Sequence, residues 1–219
     1  LKKNSSKKMD LNERNRGRQI SNIVYPNGKI GEKEGLNQYM NSKMKGGKIQ
    51  YSLKKDKLNI YKYEEIGNYS TKIKNLLNII KNSKGIIFIY SEYLWSGLIP
   101  IALALEQMGY MNYNQKHQLF HNDTKNEPLD YNGKIKKEVK KGKQFKQGKY
   151  VLFSGTNYLS PTVEKMSEII KNVINHDNNR EGENIKIILG SEITSEGLDF
   201  KNIREIHILD PWYHLYRIE

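Results

Sequence analysis

Four short runs of nearly uninterrupted apolar residues set the tightest limit on the fold: Ile86-Ile87-Phe88-Ile89-Tyr90, Tyr150-Val151-Leu152-Phe153, Ile185 to Leu189, and Ile206-His207-Ile208-Leu209. A strand with one wet face alternates apolar and polar side chains, whereas a strand covered on both faces does not. Helical periods lie between the runs. Ser70 stands at an N-cap position before the i, i+3, i+4, i+7 stripe Ile73, Leu76, Leu77 and Ile80. A second helix is predicted over about 97–109, with Pro100 in its first turn, Ile101, Leu105 and Met108 as the buried stripe, and Gly109 as the stop. A third begins at Ser160-Pro161, with Ser160 as N-cap and Val163, Met166, Ile170 and Val173 facing the core. Alternating helices and fully apolar strands predict an α/β fold: a parallel sheet flanked by helices.

Residues 1–68 have another texture. They carry the basic clusters Lys2, Lys3, Lys7, Lys8, Arg14, Arg16 and Arg18, and one apolar run, Gln19 to Tyr25, closed by the Pro26-Asn27-Gly28 turn signal. The remainder is expected to be loop or linker. The boundaries predicted are therefore an irregular basic connector at 1–68 and a folded domain at 69–219, interrupted by a lysine-rich loop at about 114–148.

Lys and Arg outnumber Asp and Glu by 37 to 24, a formal charge of +13 that attracts polyanions, nucleic acid above all. The same surplus would follow from an AT-rich genome, which enriches any chain in Lys, Asn, Ile and Tyr. The absence of cysteine excludes a disulfide scaffold and a thiolate metal site. No stretch reaches the ~20 apolar residues of a membrane span, and the N-terminus lacks the apolar core of a signal peptide. A soluble, intracellular protein without a membrane partner is expected.

Familiar catalytic patterns are missing. Gly142 to Tyr150 has glycines one residue too far apart for a phosphate-binding P-loop, and Tyr150 stands where Ser or Thr would hold magnesium. His117 and His121 are spaced i, i+4 but lie outside any helical period, and His207 alternates with isoleucines as a structural histidine would. In a parallel sheet, however, ligands meet the loops at the strands' carboxyl ends. Those loops begin Ser91-Glu92, Ser154-Gly155-Thr156, Gly190-Ser191-Glu192 and Asp210-Pro211-Trp212. Short hydroxyls and free backbone N–H groups suit phosphate oxygens, although the same residues are ordinary turn formers.

The segment Ile185 to Phe200, in which Gly197-Leu198-Asp199 begins six residues after Ser191, resembles motif V of superfamily 2 helicases. His207-Ile-Leu-Asp-Pro-Trp212 and its continuation to Glu219 are similar to the run into motif VI, particularly in nucleoside triphosphate phosphohydrolase I and the early transcription factor helicases of poxviruses and other large DNA viruses. Gly85 to Ser91 resembles motif IV, and Arg18 to Pro26 resembles the connector between lobes of those enzymes. The resemblance implies the C-terminal, RecA-like lobe of a P-loop NTPase helicase, cut before motif VI. It implies nucleic-acid backbone contacts at Ser91, Ser154, Gly155, Thr156, Ser191 and Thr194, and a nucleotide-site contribution from Gly197 and Asp199. ATP and Mg2+ would be held mainly by the first lobe of the parent chain, and DNA or RNA, single-stranded or duplex, would be the partner, with viral transcription machinery as a further one. No catalytic set is complete: Walker A and B belong to the other lobe, and Arg217 falls too early to be the arginine finger of motif VI. The fragment alone is expected to be inactive. A non-catalytic nucleic-acid-binding module derived from such a lobe is the alternative.

Overall fold

The computed structural model describes residues 11–31, 33–114, 118–121, 126–194 and 198–211. In chain order these form α1 (Leu11–Asn22), α2 (Lys33–Tyr39), a hairpin of β1 (Met40–Lys45) and β2 (Lys48–Leu53), α3 (Thr71–Asn82), β3 (Ile86–Tyr90), α4 (Ile99–Met108), β4 (Met111–Asn112), β5 (Lys149–Phe153), α5 (Val163–Ile169), β6 (Ile187–Gly190) and β7 (Ile203–Ile208). A wide turn at Leu94–Leu98 leads into α4. Strands β3 to β7 make one sheet in the order β4-β5-β6-β3-β7, parallel at every pairing.

Alternation of side chains along the inner strands divides the core into two layers. Ile87, Ile89, Tyr150, Leu152, Ile187 and Leu189 face α3 and α4. Ile86, Val151, Phe153 and Ile188 face α5 and the turn after it, where Met166, Ile169, Ile170 and Ile174 are buried. This is a RecA-like α/β arrangement, and it explains the continuous apolar runs of the inner strands. Strand β7 lies at the sheet's edge and alternates instead, leaving Ile206 66% exposed. Its ladder begins at Ile203, three residues before the apolar run predicted from sequence, because Arg204 and Glu205 are tolerated on an edge.

Two expectations differ from the structure. The N-cap of α5 is Thr162, whose side chain accepts from Lys165 N–H, while Ser160 instead accepts from Ser154 N–H. As a result Val163 is exposed, and the buried face carries Met166, Ile169, Ile170 and Ile174 rather than Val163 and Val173. Residues 27–68, expected to be loop and linker, contain α2 and the hairpin. Their Leu36, Tyr39, Tyr51, Ile60 and Tyr61 belong to the same core layer as α3 and α4. That cover explains why α4 is buried from Ile99 through Gln107 and not on one stripe: it lies between the sheet and the N-terminal layer. Buried Asn59 donates to Gln107 across this contact at 2.7 Å.

The lysine-rich loop expected at 114–148 is tied into the fold at its described residues. Phe120 bridges to Tyr51 of β2, and Asp130 bridges to Gln147. The clamp is Glu106 of α4. It accepts Leu119 N–H at 2.9 Å, Phe120 N–H at 2.6 Å and the Tyr150 hydroxyl at 2.7 Å. Burial pushes its carboxyl up to about 7, against the opposing pull of these three donors. With the folded value above the ordinary 4.5, the proton is held more tightly in the folded state, so this contribution is complete below pH 4.5 and lost as pH rises through about 7. The wild type should therefore lose roughly 3 kcal/mol relative to Glu106→Gln between pH 4 and pH 8, measured by urea unfolding. A difference independent of pH would contradict the assignment.

Candidate nucleic-acid interface

Because the strands are parallel, the loops that follow them emerge along one edge. Gly190 pairs with Phe153 on one side and Tyr90 on the other, and Tyr90 pairs with Ile208. Ladder bonds continue one residue further: Ser191 N–H to Phe153 O at 3.0 Å, Ser91 N–H to Gly190 O at 3.1 Å, and Leu209 N–H to Tyr90 O at 2.9 Å. The loops at 154–156, 191–194, 91–93 and 209–211 thus stand side by side in that order.

The hydroxyl residues on this edge divide into two groups. Ser91 is buried and donates to Asp210 Oδ1 at 2.6 Å while accepting from Tyr93 N–H at 3.2 Å. Ser154 is buried and accepts from Thr156 N–H. Thr194 is buried and donates back to the Ser191 carbonyl at 2.6 Å. These three shape their own loops. Gly155 is exposed with open space around it and Thr156 is half-buried, whereas Ser191 is buried at 8% exposure, as Thr194 is. Asp199 lies apart from them, exposed beside a shallow cleft with Ser167, Lys171, Asn175 and Lys201, and its carbonyl accepts from Asn175. Gly197, the basic cluster at residues 2–8, and Trp212 to Glu219 with Arg217 lie outside the described residues.

Asp210 organises the edge, a role that its place in the run resembling the approach to motif VI did not reveal. Its carboxylate is buried and accepts from Ser91 Oγ, from Glu92 N–H at 2.8 Å and from the Asn22 amide at 3.2 Å. Arg18 donates to its carbonyl at 2.7 Å and pairs with Glu92 at 2.9 Å, with its guanidinium 5.2 Å from the centre of the Tyr93 ring. Lys72 of α3 donates to the neighbouring Leu209 carbonyl at 3.0 Å, and burial holds its ammonium below the usual range. Gly97 is required here by close approach: a Cβ would run into Ser91 Oγ. Sequence reasoning missed this cluster, whose members are up to 192 residues apart. It also missed the hairpin's attachment to the edge. Lys48 donates to the carbonyls of Asn157 and Ser160 at 2.6 Å each, and Ile49 N–H donates to Tyr158 O.

No family model matches the chain. Individual proteins do. The chain is 30% identical over 203 residues to a protein of Acanthamoeba polyphaga mimivirus named as an ATP-dependent RNA helicase, covering 92% of the chain and 27% of that protein. It is 29% identical over 205 residues to a protein of Invertebrate iridescent virus 3 named as a helicase, covering 91% of the chain and 17% of the relative. It is 30% identical over 154 residues to a termination factor NPH-I homologue of African swine fever virus, covering 67% of the chain and 21% of the relative. A RecA-like sheet with a motif V-like loop on its carboxyl edge defines a helicase-type domain. The chain is homologous to the helicases and NPH-I-like termination factors of large DNA viruses, and spans about a quarter or less of the relatives it matches. Among the described residues no helix is long and apolar enough to cross a membrane.

Removing the Asp210 carboxylate leaves a serine hydroxyl, an asparagine amide and a backbone N–H without their acceptor. Asp210→Ala should cost roughly 3–5 kcal/mol of unfolding free energy, and Ser91→Ala about 1 kcal/mol. Chemical denaturation checks both, and a loss under about 1 kcal/mol for Asp210→Ala would remove it as the organiser.

Proposed function

We propose that the chain is the C-terminal lobe of an ATP-driven helicase or translocase of a large DNA virus, gripping the nucleic-acid backbone along the carboxyl edge of its sheet and forming one wall of an ATP site between lobes. The observation that carries this proposal is the motif V-like loop at 190–194, seated between the 154–156 and 91–93 loops on a single edge. Gly155, Thr156 and Ser191 form the gripping set, while Ser91, Ser154 and Thr194 hold the loops in shape. Contacts of this kind touch phosphates without reading bases, which suits a motor that must step along any sequence.

The described residues do not form a phosphate cradle. Asp199 is exposed, and the Gly142–Tyr150 segment is tied down through the bridge of Gln147 to Asp130. By resemblance, ATP and Mg2+ would be held mainly by the other lobe, with Asp199 and Gly197 completing the wall. The likeness to NPH-I-type termination factors supports a role in viral transcription.

The double variant Thr156→Ala, Ser191→Ala should weaken binding of a labelled single-stranded oligonucleotide by about tenfold in fluorescence anisotropy, the loss expected for one to two phosphate hydrogen bonds. Unchanged affinity would remove these loops from the track. In the longer enzyme, with both lobes present, Asp199→Ala should leave oligonucleotide binding intact and abolish ATP turnover. Normal turnover would take Asp199 out of the nucleotide site.

A further inference from the structure

The opposite edge of the sheet carries a feature that the motor reading does not use. Between the end of α3 and the 130–144 segment lies a cleft of about 370 Å3, lined by Lys84, Lys134, Lys140 and Lys143 with Tyr131 and Asn132. All four lysines are exposed, and none forms an ion pair with a described carboxylate. The nearby acids already hold donors of the protein, Asp130 in the cleft lining among them. Asp130 Oδ1 accepts the N–H groups of Asn132 and Lys134 at 2.8 Å each. Glu138 accepts Ile135 N–H at 3.1 Å, and Glu183 is held by Lys146 at 2.6 Å. An anion at the carbonyl end of a helix is ordinarily repelled, but here the buried Lys186 ammonium donates to Ser83 O at 2.8 Å. The platform is fitted closely: Gly133, at φ +74°, lies where a Cβ would fall 2.7 Å from the Lys81 carbonyl oxygen.

We propose that this cleft is a second binding surface for nucleic acid, taking the phosphodiester backbone of an arm that lies outside the carboxyl-edge track. Four ammonium groups with no ion-pair partner among the described residues, set on a polar floor, are suited to consecutive phosphates and offer no means of reading bases. An acidic protein segment fits less well, because such partners anchor on apolar pockets and Val139 is the only aliphatic side chain in the lining. The cleft lies at the amino end of β3, so the strand's length of about 15 Å separates it from the Ser91 edge. One phosphate cannot serve both sites.

The test is oligonucleotide binding by the whole chain over a range of salt concentrations, using labelled single-stranded RNA and a duplex of the same length. Lys134→Gln, Lys140→Gln and Lys143→Gln are combined in one variant. A control variant neutralises Lys29, Lys57 and Lys62, exposed lysines of the N-terminal layer. The cleft variant should lose about tenfold or more in affinity at ~0.1 M salt, and its log–log salt slope should become shallower by about two. The control, with the same net charge, should change by less than about twofold with its slope kept. The Thr156→Ala, Ser191→Ala pair should keep its salt slope, which separates failure of the track from failure of the cleft. Equal losses in the two lysine variants would reduce the cleft to bulk charge and overturn the proposal. Displacement of the RNA by polyglutamate as readily as by unlabelled RNA would overturn it in favour of an acidic protein partner.

Discussion

The carboxylate of Asp210 has almost no access to water, and a buried charge persists only where the protein supplies the hydrogen bonds that water would have made. Those bonds come from the exit of β3 and from α1, which meet nowhere in sequence. Much of the carboxyl edge follows from this one requirement. Ser91 is held inward, Glu92 is aligned for Arg18, and α1 is fixed across the ends of β3 and β7. Helix α3 joins the same assembly through Lys72, and through Ser70, which caps α3 while donating to the Asn22 carbonyl. The segment that resembles an interlobe connector, Arg18 to Pro26, is therefore packed into the folded unit through Arg18, Asn22, Ile23 and Tyr25.

The two ends of the sheet are built from different chemistry. At the carboxyl end, there is open space at Gly155 beside the half-buried Thr156, with the hydroxyls of Ser154 and Thr194 spent on loop geometry. At the amino end, exposed lysines that pair with no carboxylate among the described residues surround a polar cleft that also holds Asp130. The first kind of surface depends on shape, and the second on ionic strength. A protein with both can hold one part of a nucleic acid in register while retaining another by charge. The hairpin links the N-terminal layer to the first of these surfaces through Lys48, whose ammonium sits on two carbonyls of the 157–160 loop.

How far the sequence revealed this depends on what each residue faces. Strands β3 and β5 were legible because a strand covered on both faces leaves a continuous apolar run, and β7 was legible only in part because an edge strand does not. Helix α3 was legible from Ser70 and its stripe. Residues 27–68 were not, since Leu36, Tyr39, Tyr51, Ile60 and Tyr61 enter the core from short elements and turns without a sustained period. The Gly46-Gly47 dipeptide between β1 and β2 was the one local hairpin signal available. At the site, the type of loop was legible but the fate of each hydroxyl was not. Whether a serine faces a phosphate or a buried aspartate 119 residues away is decided by tertiary contact. Ser160 and Thr162 show the same limit: both are sound N-caps, and closure of the 154–160 loop takes the first and leaves the second to the helix.

The central claim is that the carboxyl edge of the sheet is the surface that meets the nucleic-acid backbone. Hydrogen exchange of the whole chain, with and without a saturating single-stranded oligonucleotide, tests it most directly. The account predicts slowed exchange of the amides at 154–160 and 190–194, with α5 and the β1–β2 tip unchanged. Oligonucleotide binding without any slowing at those loops would contradict it.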